Sequence, residues 1–205
     1  MTKDAKRKLV VAITGATGAI FGVRLLEVLR QVGVETHLIL SGWGARTLAH
    51  ETNYSIKQVK LLANTVYSPN DMGAAVSSGS FLTDGMVIAP CSVRTLAAIA
   101  TGQGDNLIHR AADVTLKERR KLVLAVRETP LTAIHLENML KLSRMGVVVC
   151  PPVPAFYNHP TSIEDLVTNT VERLLDQFDV HVDLRPRWTG VMHSTLTKKT
   201  TRKKS

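Results

Sequence analysis

The segment TGATGAIFG sets Gly15, Gly18 and Gly22 between a short apolar run and a stretch of helical periodicity. Glycines in that place let backbone N–H groups approach a phosphate at a helix N-terminus, where the dipole favours negative charge. NAD(P)-dependent enzymes use a similar loop, but they usually carry Asp or Glu at the end of the next strand to hold the adenosine ribose. Here that strand ends in Ser41-Gly42. The loop is therefore read as a mononucleotide site, with two alternatives: Arg46 serving an NADP phosphate, or a tight turn that binds nothing.

A second stretch, Pro90-Cys91-Ser92-Val93-Arg94-Thr95, follows another apolar run. Ser92 stands where an N-cap belongs. The same open N–H groups, with the Ser92 and Thr95 hydroxyls, can also bind a flavin edge or a phosphate. The third set is charged: Arg110 and Asp113, then Lys117-Glu118-Arg119-Arg120, then Arg127-Glu128. Asp113 and Lys117 are four apart, the spacing of a helix-face salt bridge worth tenths of a kcal/mol. Arg127-Glu128 ends an apolar run, and a carboxylate beside an arginine in a partly closed site can give and take a proton. The fourth stretch, PAFYNHP, holds Tyr157 in a proline-framed loop ahead of Arg173 on a later helix; Arg173 is either a solvated helix position or an anion contact. Three charge-assisted contacts of roughly 1.5–3 kcal/mol each would hold a second small dianion and stabilise it as a leaving group. The sequence has no pair of aspartate-rich helices for a Mg²⁺-diphosphate mechanism, which suits a monophosphate donor and no metal.

These stretches need a common rim. Continuous apolar runs are read as strands at Leu9–Thr14, Val34–Ser41, Gly85–Pro90, Lys121–Arg127 and Gly146–Cys150. Helical patterns fall between them at 20–31, 43–51, 55–63, 92–100, 111–120 and 133–144, with a last helix from Ser162 to Phe178. Apolar strands alternating with helices predict a parallel sheet covered on both faces, a doubly wound three-layer α/β/α domain. Ligands in such folds bind beyond the carboxyl ends of the strands, and the segments that follow the strands are GATGA, Ser41, PCSVRT, Arg127-Glu128 and PPVPAFY.

With 205 residues the chain suits a single core. The net charge of +9 is confined to the ends: residues 1–8 carry +3 and residues 185–205 carry +7, leaving 15 cations against 16 acids between them. The tails, 1–8 and 191–205, are read as basic segments outside a domain spanning 9–190. Basic tails of this kind add nonspecific affinity for polyanions, not specific nucleic-acid recognition. No apolar run is long enough to span a bilayer, so no membrane partner is expected, and a cytoplasmic location is. Cys91 and Cys150 form no CxxC pair and no metal-ligand spacing, and are read as small reduced residues at strand ends.

GATGA, PCSVRT, RAADVTLKERRKLVLAVRETPL, HLENMLKLSRMG and PPVPAFYNHP occur in the order and spacing of UbiX-like flavin prenyltransferases, and the chain resembles that family over residues 9–188. The resemblance implies a flavodoxin-like (Rossmann-like) fold in a homododecamer with sites at subunit interfaces. It implies reduced FMN as acceptor and dimethylallyl monophosphate as donor, giving an FMN prenylated at N5 and C6 that serves a UbiD-type aromatic acid decarboxylase. By the same resemblance Gly15, Ala16, Thr17, Ser41, Ser92, Val93, Arg94, Thr95, Arg110 and Arg127 bind FMN. Lys117, Arg127, Tyr157, Arg173 and Trp188 contact the donor, while Glu51, Glu128 and Lys117 are catalytic, the two glutamates handling protons. Thr17 stands where some members have Ser, and Met72 where some carry a tryptophan over the prenyl pocket. Two other readings stay open: an FMN-carrying subunit of a decarboxylase, and a direct flavin-dependent decarboxylase like the cysteine-decarboxylating flavoproteins. The absence of a histidine in 22–29 counts against the second.

Overall fold

The computed structural model describes residues 7–190; most of the two expected tails lies outside them. Six strands run β1 (Lys8–Ile13), β2 (Glu35–Leu40), β3 (Thr65–Tyr67), β4 (Gly85–Cys91), β5 (Lys121–Val126) and β6 (Val148–Val149). All neighbouring pairs are parallel, in the spatial order β3-β2-β1-β4-β5-β6. The predicted doubly wound α/β domain is found. Without the three-residue edge strand β3, the order is that of the flavodoxin-like folds, whose switch point lies where the chain turns from one side of the first strand to the other. Here that is between β1 and β4.

The four central strands, β1, β2, β4 and β5, are buried on both faces, because their side chains alternate between two apolar layers. Leu9, Val11 and Ile13 of β1 pack with α1 (Ala19–Gln31) and α7 (Ile163–Asp176). Val10 and Ala12 pack with α4 (Val93–Thr101) and α5 (Leu107–Lys117). The remaining helices are α2 (Gly42–Glu51), α3 (Ile56–Leu62) and α6 (Ala133–Arg144). Gly22 lets α1 lie against the sheet at the switch point: a Cβ there would stand 2.5 Å from the Ala89 carbonyl oxygen and 2.6 Å from Ile13 Cγ1. Among the described residues no helix is long and apolar enough to cross a membrane.

The sequence expectations need three corrections. β3 was not anticipated; three residues at a sheet edge have too little periodicity to register. Helix α5 starts at Leu107, not Ala111, because Asn106 caps it, its Oδ1 accepting from the Ile108 and His109 N–H groups at 2.9 and 3.1 Å. The expected Asp113–Lys117 bridge is replaced by Arg110 Nη1–Asp113 Oδ2 at 2.8 Å and by a Lys117–Glu118 pair. Lys117 is the last residue of α5, and its ammonium turns to the neighbouring C-cap carboxylate instead of back along the helix.

Candidate functional site

At the switch point the carboxyl ends of β1, β2 and β4 open into a cavity of about 510 Å³ whose lining includes Gly15, Ser41, Trp43, Arg46, Ser92 and Arg94. Two helices begin at its edge. Ser41 caps α2, its Oγ accepting from Gly44 N at 2.9 Å, and Ser92 caps α4, its Oγ accepting from Thr95 N at 3.3 Å. The Ser92 hydroxyl also donates to Thr95 Oγ1 at 3.1 Å. Among the described residues, capping leaves the N–H groups of Gly42, Trp43, Val93 and Arg94 without a partner, as expected for the first turn of a helix. Thr14 holds the two strand ends in register across the switch: its hydroxyl donates to the Pro90 carbonyl at 2.7 Å and accepts from Ser92 N at 2.9 Å. Arg46 lies over the Trp43 ring, 4.9 Å from its centroid. With open N–H groups from two helices and two guanidiniums, the donor set fits a phosphate ester.

His109 lies in the wall of this cavity, buried, with no partner on Nδ1 among the described residues. Burial, reinforced by the charge of Arg94 and opposed by Asp105, pushes its pKa down.

The glycine loop itself is used differently from the expectation. The N-terminus of α1 is already occupied by a carboxylate from its own chain: Glu51 Oε2 accepts from Gly18 N at 2.7 Å and Ala19 N at 3.2 Å. Partial burial would raise the Glu51 pKa, but the Thr17 hydroxyl, these two N–H groups and the charge of Arg127 outweigh it and hold it low. Thr17, Glu51 and Arg127 thus form a charged cluster beside the switch point. Arg127 follows β5 and is tied to β4 by its N–H, which donates to the Cys91 carbonyl at 3.0 Å. Glu128 is exposed, and its Oε1 accepts from Thr129 N at 3.0 Å. It forms no ion pair with Arg127.

A second cavity, of about 720 Å³, gathers Tyr157, Asn169, Arg173, Arg187 and Trp188. Tyr157 and Trp188 meet edge to face, with centroids 5.8 Å apart and planes at 77°. Arg173 Nη1 donates to Asp176 Oδ2 at 2.8 Å. Its charge also reaches the Cys150 thiol, opposing the burial that raises that pKa. This places the guanidinium within electrostatic reach of Cys150, which follows β6.

Of the residues singled out from the sequence, Gly15, Ser41, Ser92, Arg94 and Thr95 line the first cavity. Ala16 belongs to the glycine loop, and Val93 contributes backbone at the start of α4. Tyr157, Arg173 and Trp188 line the second cavity. Arg110 is turned to the 75–77 turn, its Nε donating to the Ser77 carbonyl at 3.1 Å. Lys117 lies elsewhere. It ends α5 just ahead of β5, so it sits at the amino end of the sheet, beside Gly79. Thr14, Trp43, Asn106, His109, Asn169 and Arg187 line the cavities without having been singled out. Thr14 and Arg187 adjoin quoted motifs, and Asn169 lies one helical turn before Arg173; His109 gave no signal.

A flavodoxin-like sheet with an anion-receptive switch point defines a mononucleotide-binding α/β protein, and comparison with known proteins narrows that class. The family model described as Flavoprotein matches residues 1–175. A probable UbiX-like flavin prenyltransferase of Bacillus subtilis is 59% identical over 186 residues, covering 91% of each chain. The crystal structure of AnUbiX (PadA1) in complex with FMN and dimethylallyl pyrophosphate superposes with a TM-score of 0.91 at 54% identity, covering 92% of this chain and 100% of that one. A dodecameric FMN-dependent UbiX-like decarboxylase of Escherichia coli O157:H7 matches with a TM-score of 0.88 at 55% identity, covering 89% of this chain and all of the other. The chain belongs to the UbiX-like flavin prenyltransferases of the Flavoprotein family.

Proposed function

We propose that this chain transfers a dimethylallyl group from dimethylallyl monophosphate to N5 and C6 of reduced FMN, making the prenylated flavin used by a UbiD-type aromatic acid decarboxylase. The observation that carries this reading is the presence of two arginine-bearing cavities in one chain. The first offers helix N-termini and arginines to the FMN phosphate. The second offers Arg173 and the Tyr157 hydroxyl to the donor phosphate, with two aromatic rings beside them.

Reduced FMN supplies the electron-rich ring that accepts the prenyl group. The chain's part is to bind, orient and exclude water. Gly15, Ser41, Ser92, Arg94 and Thr95 hold and orient the FMN, with backbone from Ala16 and Val93. Arg173 and Tyr157 bind the donor phosphate, and Lys117 of a neighbouring copy completes its charge neutralisation. Cations on a departing phosphate lower the cost of ionising the allylic C–O bond, and a water-poor aromatic wall protects the cation that develops. Tyr157 and Trp188 provide that wall. Glu51 and Glu128 handle the protons, with Arg127 and Arg110 near the flavin. Residues 9–190 form the working domain, in a homododecamer and in the cytoplasm.

The test is to incubate the protein anaerobically with reduced FMN and dimethylallyl monophosphate and to weigh the flavin. A mass increase of one dimethylallyl group is expected, with the monophosphate a better donor than the pyrophosphate named for AnUbiX. An unchanged flavin mass would reject the transferase. The decarboxylase name of the E. coli neighbour supports one rival, so the protein is also assayed alone with aromatic acids. Turnover there would favour direct decarboxylation.

A further inference from the structure

Three acids on α7 share one face, at positions 165, 172 and 176, and all three grip the chain that follows the helix. Asp165 Oδ1 pairs with Arg185 Nη1 at 2.7 Å. Glu172, 4% exposed, accepts the N–H groups of Leu184 and Arg185 at 2.6 and 3.0 Å. Asp176, with a side chain 10% exposed, takes both Arg187 Nη1 and Nη2 at 2.9 Å. It also accepts from His181 Nδ1 at 3.1 Å. Residues 182–188 are thereby strapped across the helix, and the strap ends on Trp188, packed against Tyr157 in the second cavity. The same Asp176 Oδ2 that receives Arg187 receives Arg173 Nη1 at 2.8 Å. One carboxylate thus fixes both the guanidinium at the cavity and the segment that walls it.

We infer that Asp176 is a positioning residue that couples closure of the 182–188 strap to the orientation of Arg173 towards the donor phosphate. This rests on the donor-cavity reading above. Bidentate arginine–carboxylate pairs are geometrically specific, so Arg187 holds the carboxylate in one orientation. Arg173, sharing Oδ2, is held in turn. A phosphate entering the cavity would meet Arg173 already aimed and Trp188 already seated, without the cost of ordering either at binding.

The experiment compares Asp176→Asn, Arg187→Met and Arg187→Lys with the wild type in the flavin-mass assay. It also measures acrylamide quenching of Trp188 emission in a Trp43→Phe background, since the chain has two tryptophans. Asp176→Asn and Arg187→Met are expected to raise the donor KM at least about tenfold, the loss of one charge-assisted contact, with kcat and FMN affinity within about threefold. Trp188 should become more quenchable in both, and Arg187→Lys should recover part of each effect. An unchanged donor KM, or a raised KM with unchanged Trp188 quenching, would overturn the coupling. If Asp176→Asn does not fold, Arg187→Met carries the same comparison. A wild type that makes no prenylated flavin would reject the functional reading instead, while the quenching comparison would still decide the coupling.

Discussion

Gly44, in the first turn of α2 beside the first cavity, tolerates little change. A Cβ on it would stand 2.5 Å from the Ile13 carbonyl oxygen and 3.0 Å from the carbonyl carbon, and backbone cannot move aside as a flexible side chain can. Gly44→Ala should therefore push the N-terminus of α2 off β1, costing about 1–3 kcal/mol as overpacking does. It should also weaken FMN binding, because Ser41 caps through Gly44 N. Chemical denaturation and a flavin titration measure the two effects, and wild-type values in both would contradict this account of the rim. Asn169 makes the opposite case, a buried amide with no hydrogen bond to the described residues, facing the second cavity one turn before Arg173. Asn169→Ala should raise the donor KM several-fold, the size of one neutral hydrogen bond of about 1 kcal/mol, and leave FMN affinity alone. The cap Ser92 was legible in the sequence because a hydroxyl between a strand and a helix has one common job; Ser41, read only as a strand end, turned out to have the same one. Ion partners were not: Asp113 chose Arg110 over Lys117, and Arg173 chose Asp176, because reach and direction in three dimensions decided between spacings that both fit a helix face.

Five of the six strands and most helices could be read from apolar runs and periodicity, since a sheet buried on both faces needs such runs. What could not be read was how elements cap one another. Glu51 is the last residue of α2, yet its carboxylate closes the first turn of α1, some 33 positions earlier in the chain. That role belongs to the packing of two helices, not to a local motif, and it converts the glycine loop from an open anion site into a filled one. It also predicts a pH effect. The folded Glu51 pKa is depressed, so its contribution to stability is present above the ordinary glutamate value, about 4.3. It is lost as pH falls through the lower, folded value. At pH 7 Glu51→Ala should cost about 1 kcal/mol, the size of a lost N-cap. The gap to the wild type should close when denaturation is repeated at progressively lower pH. A gap that persists, or widens in acid, would mean the carboxylate does not stabilise α1.

The assembly question turns on Lys117. Helix α5 runs antiparallel to the strands, so its first residues lie near the carboxyl rim, where Asn106 and His109 line the first cavity. Its last residue, Lys117, lies about 16 Å further along, at 1.5 Å per residue, at the amino end. Arg173 belongs to α7, which packs on the opposite face of the sheet from α5. No side-chain rotation within one chain closes that gap, yet the family resemblance assigns Lys117 to the same donor phosphate. The two statements agree only if the lysine reaches the cavity of a neighbouring copy, and symmetric oligomers can make such a shared site. Co-expression of a Lys117→Ala chain with an Arg173→Ala chain tests this directly. Each homo-oligomer should prenylate flavin poorly. In a random mixture about a quarter of the sites would pair an intact Lys117 from one chain with an intact Arg173 from another, so activity should return to roughly that fraction. If every site were built from a single chain, mixing would restore nothing. Recovery that appears only when both variants are assembled together, and not when finished oligomers are combined, would place the lysine and the arginine on different chains of one site.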